Sequence, residues 1–152
     1  MKDIATNILV YLTLSVGIIR QQAGARTRNR RHYLAAERHY SAVLVLKPHN
    51  TYAKRARGLL RWRELNDPEG AIEDFLDLRQ SDPNYHDGLF YEGMARVELG
   101  QYAEAASLFR QFIEVAPKSK WAHSATLQLQ SLNAILGDIP KQLPPSAHDS
   151  QD

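Results

Sequence analysis

The sequence contains no cysteine among its 152 residues. Disulfide bonds, thiolate zinc sites, iron–sulfur clusters and cysteine nucleophiles are therefore excluded. The sequence also lacks the glycine-rich loops that hold phosphates or dinucleotides, and its six histidines form neither an HExxH motif nor an i, i+4 pair. No set of residues stands out as a nucleophile, a general base or a metal site. We predict a protein that is not an enzyme and that uses no cofactor or metal.

Acidic residues are scarce in the first part of the chain. Residues 1–63 contain 13 lysines and arginines but only two acids, whereas residues 64–152 contain six basic and 15 acidic residues. The formal net charge of +2 therefore hides a basic first part and an acidic second part. A charge distribution of this kind bears on partners rather than on fold. It makes head-to-tail self-association through opposite charges a hypothesis.

Three segments of the chain repeat one another, at residues 32–50, 67–85 and 101–119. An alanine, an aromatic residue and a proline recur in them at intervals of 35 and 34 residues. The recurring residues are Ala36, Ala71 and Ala105, then Tyr40, Phe75 and Phe109, then Pro48, Pro83 and Pro117. An apolar run with a glycine precedes each segment, and the proline forces the residue before it out of helical dihedral angles. Each unit is therefore predicted to be a pair of helices.

This pattern resembles the tetratricopeptide repeat, which has a period of 34 residues. The third unit carries the resemblance best, through Gly93, Leu99, Gly100, Tyr102, Ala105, Phe109 and Pro117. The resemblance implies an all-α fold, a right-handed superhelical solenoid of three helix pairs and a C-terminal capping helix. The repeats are expected at residues 4–50, 51–84 and 85–118.

The end of the chain is expected to close this array. The capping helix is predicted at residues 119–136, with Ser119 as its N-cap and Gly137 as its C-terminal stop. The tetratricopeptide domain would then cover residues 1–137. Residues 138–152 are polar and rich in proline, so we predict a disordered tail.

The first unit is about seven residues longer than the others, and the excess falls between Gly24 and His32. Insertions in helical arrays map to loops, so we expect an exposed loop that carries Arg26, Arg28, Arg30 and Arg31. Guanidinium groups pair bidentately with phosphates and carboxylates. The segment is therefore either an anion-binding loop or a solvated loop without a ligand. No aromatic residue interleaves with the arginines, which argues against a nucleic-acid partner.

The apolar segment at residues 4–19 has three interpretations. As a membrane span its 16 residues fall short of the usual ~20, and polar side chains interrupt it. As a signal peptide it is followed by a small-x-small sequence that ends at Ala25. As a repeat helix it spaces Gly17 and Gly24 as Gly93 and Gly100 are spaced. Cleavage would remove one helix of the first pair, which favours the repeat-helix interpretation.

Proteins of the tetratricopeptide family bind a peptide or helix in a concave groove lined by the first helices of successive repeats. The resemblance places in that groove Leu14, Ile18, Tyr52, Arg55, Leu59, Trp62, Arg63, Phe90 and Met94. Leu14 and Ile18 stand where a subset of the family carries the Lys and Asn that clamp a C-terminal carboxylate, so such a clamp is not expected. The apolar members could equally pack inside the solenoid, because the two registers differ by one residue.

Two further charge patterns accompany the groove. Lys54, Arg57 and Arg61 share a face of one helix and are interpreted as an anion-facing surface. Glu73 and Asp74 are expected on a solvated outer face.

The sequence thus predicts a cytoplasmic, non-catalytic protein–protein interaction module, scaffold or assembly factor. Its partner would be an apolar or acidic helical segment of another protein, held in the groove. The alternative is a membrane-associated accessory subunit or assembly factor that uses the N-terminal helix and the arginine-rich loop at a bilayer surface.

Overall fold

The computed structural model describes residues 2–142, and this part of the chain is helical without any strand. The helices are α1 (Lys2–Thr27), α2 (Arg30–Leu46), α3 (Thr51–Leu60), α4 (Pro68–Ser81), α5 (Asp87–Glu98), α6 (Tyr102–Val115) and α7 (Ala122–Gln142). One π-helical turn, Arg61–Leu65, continues α3. Each helix packs chiefly against its neighbours in the chain. The predicted all-α helical repeat array is therefore confirmed.

Short polar signals set the ends of the helices. Asn29, Asn50 and Asp67 cap α2, α3 and α4, each by accepting a hydrogen bond from a backbone N–H of the first turn. Helices α2, α4 and α6 each end two residues before the recurring proline. The 34-residue spacing of the sequence thus corresponds to the spacing of these helix ends.

The recurring glycines let paired helices approach closely. Gly17 faces the ring of Tyr40, and a Cβ atom there would lie 2.9 Å from a ring carbon. Gly58 on α3 and Gly93 on α5 face Phe75 and Phe109 in the same way, at 2.8 Å. Because a glycine packs against an aromatic ring in each pair, these positions specify how the two helices fit together.

The buried side chains form three clusters along the array. The largest joins α4 to α7 through aromatic residues, among them Phe75, Phe109 and Phe112. The second lies between α1, α2 and the end of α3, around Tyr40 and Leu60. The third consists of Val10, Val43 and Ala53. The core is thus divided along the array, as is usual when each unit contacts only its neighbours.

The expected arginine loop is wrong. Helix α1 continues to Thr27 and α2 begins at Arg30, so only Arg28 and Asn29 join them. Arg26, Arg30 and Arg31 are helical, and all four arginines are exposed. The extra residues lengthen both helices because arginine is a good helix former. The chain turns where Arg28 adopts a φ of 51° and Asn29 caps α2.

The expected end of the capping helix is also wrong. Helix α7 begins at Ala122, where Ser119 accepts a hydrogen bond from the backbone N–H of Trp121 (3.3 Å). It then passes through Gly137 and reaches Gln142. A glycine inside a helix costs only about 1 kcal/mol relative to alanine, so it need not stop one. The disordered tail stays a prediction, and its residues 143–152 lie outside the described residues.

Candidate functional site

The basic stripe of α3 is not an exposed surface. Lys54 is only 2% exposed, and its Nζ atom lies 2.6 Å from Oδ2 of Asp77 and donates a hydrogen bond to Ser81. Arg57 and Arg61 likewise turn toward α4. The interpretation of these three residues as an anion-facing surface is therefore wrong, because the helix face that carries them packs against acidic residues of the same helix pair.

The acid at the centre of this contact is Asp74. It is 3% exposed and accepts hydrogen bonds from Arg57 Nε at 3.0 and 3.1 Å and from Arg61 Nη1 at 3.2 Å. Arg61 also donates to Glu37 on α2 at 2.8 Å. Burial raises the pKa of Asp74 above its ordinary value, although both guanidinium groups oppose the rise. The expectation of a solvated Asp74 is wrong, whereas the adjacent Glu73 is exposed.

The opposite face of α3 and its π-helical turn is open, and we refer to it as the α3 surface. It consists of Tyr52, Arg55, Leu59, Trp62 and Arg63. Each guanidinium lies over a neighbouring ring, with Arg55 Cζ 5.6 Å from the ring centroid of Tyr52 and Arg63 Cζ 4.9 Å from that of Trp62. Both arginines are exposed, and within the described residues neither forms an ion pair. The α3 surface is therefore cationic and aromatic.

Helix α5 borders the α3 surface. Trp62 donates a hydrogen bond from Nε1 to Glu98, and its ring centroid lies 6.2 Å from that of Tyr91. Met94 is half-buried beside them, in contact with the main core. The structure thus places the five groove residues of α3 and its π-helical turn on one face, and Met94 of α5 packs against the same core cluster as Leu59 and Trp62.

Phe90 does not belong to this surface. It is 4% exposed and stacks on Trp121 at a centroid distance of 5.1 Å with an interplanar angle of 11°. Its ring also contacts Phe109 and Phe112. The predicted groove position is therefore a core position. Tyr91, the next residue, faces the α3 surface instead, and the periodicity i, i+4, i+7 from Asp87 could have identified it.

Two tyrosine hydroxyls lie near the positive charges of the α3 surface. Burial raises the pKa of Tyr85 to about 12, while the nearby Arg55 acts in the opposite direction. Burial and the carboxylate of Asp87 raise the pKa of Tyr91, and Arg63 and Arg55 both oppose that rise. Both guanidinium groups therefore lie close enough to Tyr91 to favour the ionised form of its hydroxyl.

Two open cavities lie at the ends of the α3 surface. One, of about 650 Å³, is lined by Trp62, Arg63, Glu64, Asn66 and Glu98. The other, of about 260 Å³, is lined by Thr51, Tyr52, Arg55, Leu78, Asp82 and Tyr85. Each cavity therefore contains one arginine and one aromatic residue of the α3 surface. Tyr85 was missed from the sequence because it lies in the connection between α4 and α5 and not on a first helix.

The other predicted site residues lie apart from the α3 surface. Leu14 and Ile18 are half-buried and pack against the cluster that contains Tyr40 and Leu60. Arg30 donates a hydrogen bond to the backbone carbonyl of Leu65 at 3.0 Å. The remaining arginines of the run form no ion pair in the part of the chain that the structure describes. No group of three metal-binding side chains occurs there either.

Comparisons with known proteins agree with this geometry. The sequence profile described as "Tetratricopeptide repeat" matches residues 87–119. A search of curated protein sequences finds no match.

Three solved structures illustrate the likeness in fold. The type III secretion chaperone SycD of Yersinia enterocolitica, in complex with a peptide of the translocator YopD, is 18% identical, with a TM-score of 0.71 over 83% of this chain and 93% of that one. The Sgt2 TPR domain from Aspergillus fumigatus is 21% identical, with a TM-score of 0.65 over 90% and 89%. The second TPR domain of human RPAP3, in complex with the HSP70 peptide SGPTIEEVD, is 18% identical, with a TM-score of 0.65 over 82% and 98%.

The profile match covers α5, α6 and the connection that follows, while the structural likeness extends over four fifths of the chain or more. The glycine–aromatic contacts recur in the helix pairs that precede the profile match, so the same packing continues through the array. Residues 87–119 therefore match the tetratricopeptide repeat, and the described part of the chain shares the fold of tetratricopeptide-repeat domains.

Proposed function

We propose that the protein is an interaction module whose α3 surface binds an acidic segment of a partner protein. The observation that carries this proposal is the contrast between the two faces of α3. Lys54, Arg57 and Arg61 are neutralised by carboxylates of the same fold. Arg55 and Arg63, on the open face, are exposed and have no carboxylate partner within the described residues. Exposed cations that have no carboxylate partner are available to the anionic groups of a ligand.

The spacing of the two arginines limits the ligand. Their positions differ by eight, which corresponds to about 12 Å between their Cα atoms along a helix. Leu59 and Trp62 lie between them and supply an apolar contact. The best fit is a segment with two carboxylates about 12 Å apart and an apolar side chain between them, since each carboxylate can then reach one guanidinium. Aromatic residues and arginine are the side chains that dominate binding energy in interfaces.

The peptides in the similar structures support a ligand of this class. The SycD structure contains a translocator peptide, and the RPAP3 domain holds a peptide with two glutamates and an aspartate near its end. Those ligands belong to those proteins, and at 18% identity the likeness in fold does not transfer them. The charge and exposure of Arg55 and Arg63 are what extend the idea to this chain.

The test measures binding of fluorescein-labelled peptides that carry two glutamates at varied separation with a leucine between them. We expect saturable binding at one range of separations, weakened at least about tenfold by the double change Arg55→Glu and Arg63→Glu. Binding should also weaken with added salt, because the contacts are exposed.

The matched control is Arg110→Glu with Lys118→Glu, which reverses two exposed charges on and after α6. This variant has the same net charge as the test variant, so a general electrostatic effect would weaken both equally. Equal loss in the two variants, or binding that ignores the glutamate separation, would contradict a site on the α3 surface.

A further inference from the structure

Helix α1 exposes a continuous apolar face to solvent, and we call it the outer face of α1. It consists of Ile4, Ile8, Leu9, Tyr11, Leu12, Val16 and Ile19, all of which are exposed. The helix is long and apolar enough to cross a bilayer, yet only 11% of its most apolar stretch is buried in the fold. A core helix of a soluble protein would be mostly buried, so the fold itself does not explain this composition.

The side of α1 that faces the rest of the protein is closely packed. Val10 is buried against Val43 and Ala53, and Gly17 and Gly24 lie against tyrosine rings of α2. The hydroxyl of Tyr40 donates a hydrogen bond to Gln21 at 2.6 Å. These contacts dock α1 along α2, so its outer face is available while the helix remains part of the array.

The outer face is too wide for a single partner helix. Its residues spread over about 160° of the helix circumference at 3.6 residues per turn, and over about 24 Å of its length. A helix–helix seam of the a/d type is a much narrower stripe. No charged residue falls within this arc between residues 4 and 19. A fluid apolar phase can cover the whole arc, whereas one helix of a second copy would leave part of it in water.

The polar groups near this arc are compatible with lipid. Thr13 and Ser15 donate their hydroxyl hydrogens to backbone carbonyls four residues earlier, at 2.8 and 2.9 Å. Neither hydroxyl therefore needs water as an acceptor. Tyr11 is 72% exposed and lies at one edge of the arc, where aromatic rings with a polar end commonly meet the headgroup layer.

The arginines stand at one end of the outer face. Arg20 and Arg26 follow it on α1, and Arg28 and Arg31 follow in the turn and the first turn of α2, all of them exposed. Phosphate and carboxylate groups of anionic lipids are the complementary charges at a bilayer surface. The basic side chains thus lie next to the apolar face, where they can reach lipid headgroups while the apolar side chains enter the boundary of the acyl chains.

We propose that the outer face of α1 binds the surface of an anionic lipid bilayer, with α1 in the interface plane and its arginines among the headgroups. This orientation leaves α1 packed on α2 and leaves the α3 surface outside the bilayer. The inference is independent of the proposed function, because it concerns other residues on another helix.

The test uses the full chain and sucrose-loaded vesicles of phosphatidylcholine, with or without phosphatidylserine. We expect the protein to sediment with the vesicles that contain phosphatidylserine. The triple change Ile8→Gln, Leu12→Gln and Ile19→Gln should lower the partition coefficient at least about tenfold, since binding scales with buried apolar area. The matched control, Val115→Gln, Leu127→Gln and Ile135→Gln, changes three exposed apolar residues of α6 and α7 and should bind as the unchanged protein does.

A second pair of variants tests the role of charge. Arg26→Gln with Arg31→Gln should reduce the preference for phosphatidylserine, whereas Arg110→Gln with Lys118→Gln should preserve it.

A fluorescent label provides a second, independent readout. It can be attached at one chosen position, because the chain has no cysteine of its own. A polarity-sensitive dye on Leu12→Cys should shift to shorter emission wavelength with vesicles, and the same dye on Leu127→Cys should not.

Three results would overturn the proposal. The first is a protein that stays in the supernatant with both kinds of vesicle. The second is an equal loss of binding in the α1 and the α6–α7 triple variants. The third is a dimer in sedimentation equilibrium that the α1 triple variant dissociates while vesicles fail to bind, which would assign the outer face to a second copy.

Discussion

Asp74 shows how one buried carboxylate can join two helices. It lies on α4, and its hydrogen-bond donors, Arg57 and Arg61, lie on the α3 segment. A charge taken out of water is tolerated only where partners satisfy it. The raised pKa of Asp74 indicates that desolvation outweighs the attraction of the two guanidinium groups. The contact therefore sets which faces of α3 and α4 meet, because the buried carboxylate needs both guanidinium groups.

We predict that Asp74→Ala lowers the free energy of unfolding by about 3 kcal/mol, because two arginines lose their common partner in a mostly dry contact. Glu73→Ala, at the exposed neighbouring position, should change it by less than about 0.5 kcal/mol. Urea unfolding followed by circular dichroism measures both. Similar losses in the two variants would mean that the buried contact of Asp74 with the two arginines does not contribute to stability.

At the scale of single residues, the repeat period predicted which apolar residues are buried. It did not predict which charged residues are buried. Ala36 and Tyr40 are fully buried, as their recurrence predicted. Asp74 was wrongly predicted to be exposed, because the sequence does not show whether a charged side chain contacts water or a guanidinium group. Phe90 was placed in the groove through an error of one residue in register, which separates the core side of a helix from the groove side.

The first helix pair shows that the spacing of the repeats does not determine where its helices end. Its seven extra residues were visible in the spacing of the repeats, but spacing cannot tell a longer loop from two longer helices. Asn29 is the local signal that mattered, because asparagine is a strong N-cap. The fold of the array, by contrast, could be predicted, since it depends on contacts that recur in each unit.

Glycine substitutions distinguish the helical part of this connection from the turn. Arg28 has a φ of 51°, a conformation that side chains other than glycine adopt at a cost. We predict that Arg28→Gly raises the free energy of unfolding by about 1 kcal/mol. Arg26→Gly should lower it by about 0.5–1 kcal/mol, because Arg26 is in the last turn of α1.

Both variants remove one arginine, so their net charge is equal and thermal or urea unfolding reports the backbone effect. Changes of the same sign in the two variants would indicate that residues 26–28 share one conformation. They would then form a loop after all.

Across the whole molecule, opposite charges of the two parts of the chain meet inside the fold. Lys54, Arg57 and Arg61 come from the basic part and pair with acids of α4. Three of the 13 basic residues of the first part are thus neutralised inside the fold. Head-to-tail self-association stays a prediction for sedimentation at varied salt. Among the exposed basic residues are Arg55 and Arg63 of the α3 surface and the arginines at the basic end of the outer face of α1.

The pH dependence of stability tests the burial of tyrosines along the whole array. Burial raises the pKa of Tyr40, which is fully buried, and it raises the pKa of Tyr85 to about 12. The folded chain therefore holds phenolic protons that the unfolded chain releases near pH 10. Stability from this source is complete below pH 10 and is lost as the pH rises from about 10 to about 12.

We therefore expect the free energy of unfolding in urea to fall between pH 9.5 and pH 11.5, and to fall less steeply in Tyr85→Phe, which has no phenolic proton to lose. The difference between the unchanged protein and this variant should be constant below pH 10, and above it should shift in favour of the variant. The absorbance of tyrosinate at 295 nm, recorded on the same samples, shows the pH at which the tyrosines ionise. If the two stability curves stayed parallel up to pH 11.5, Tyr85 would ionise equally in the folded and unfolded chains, and its contact with Arg55 would lie in water.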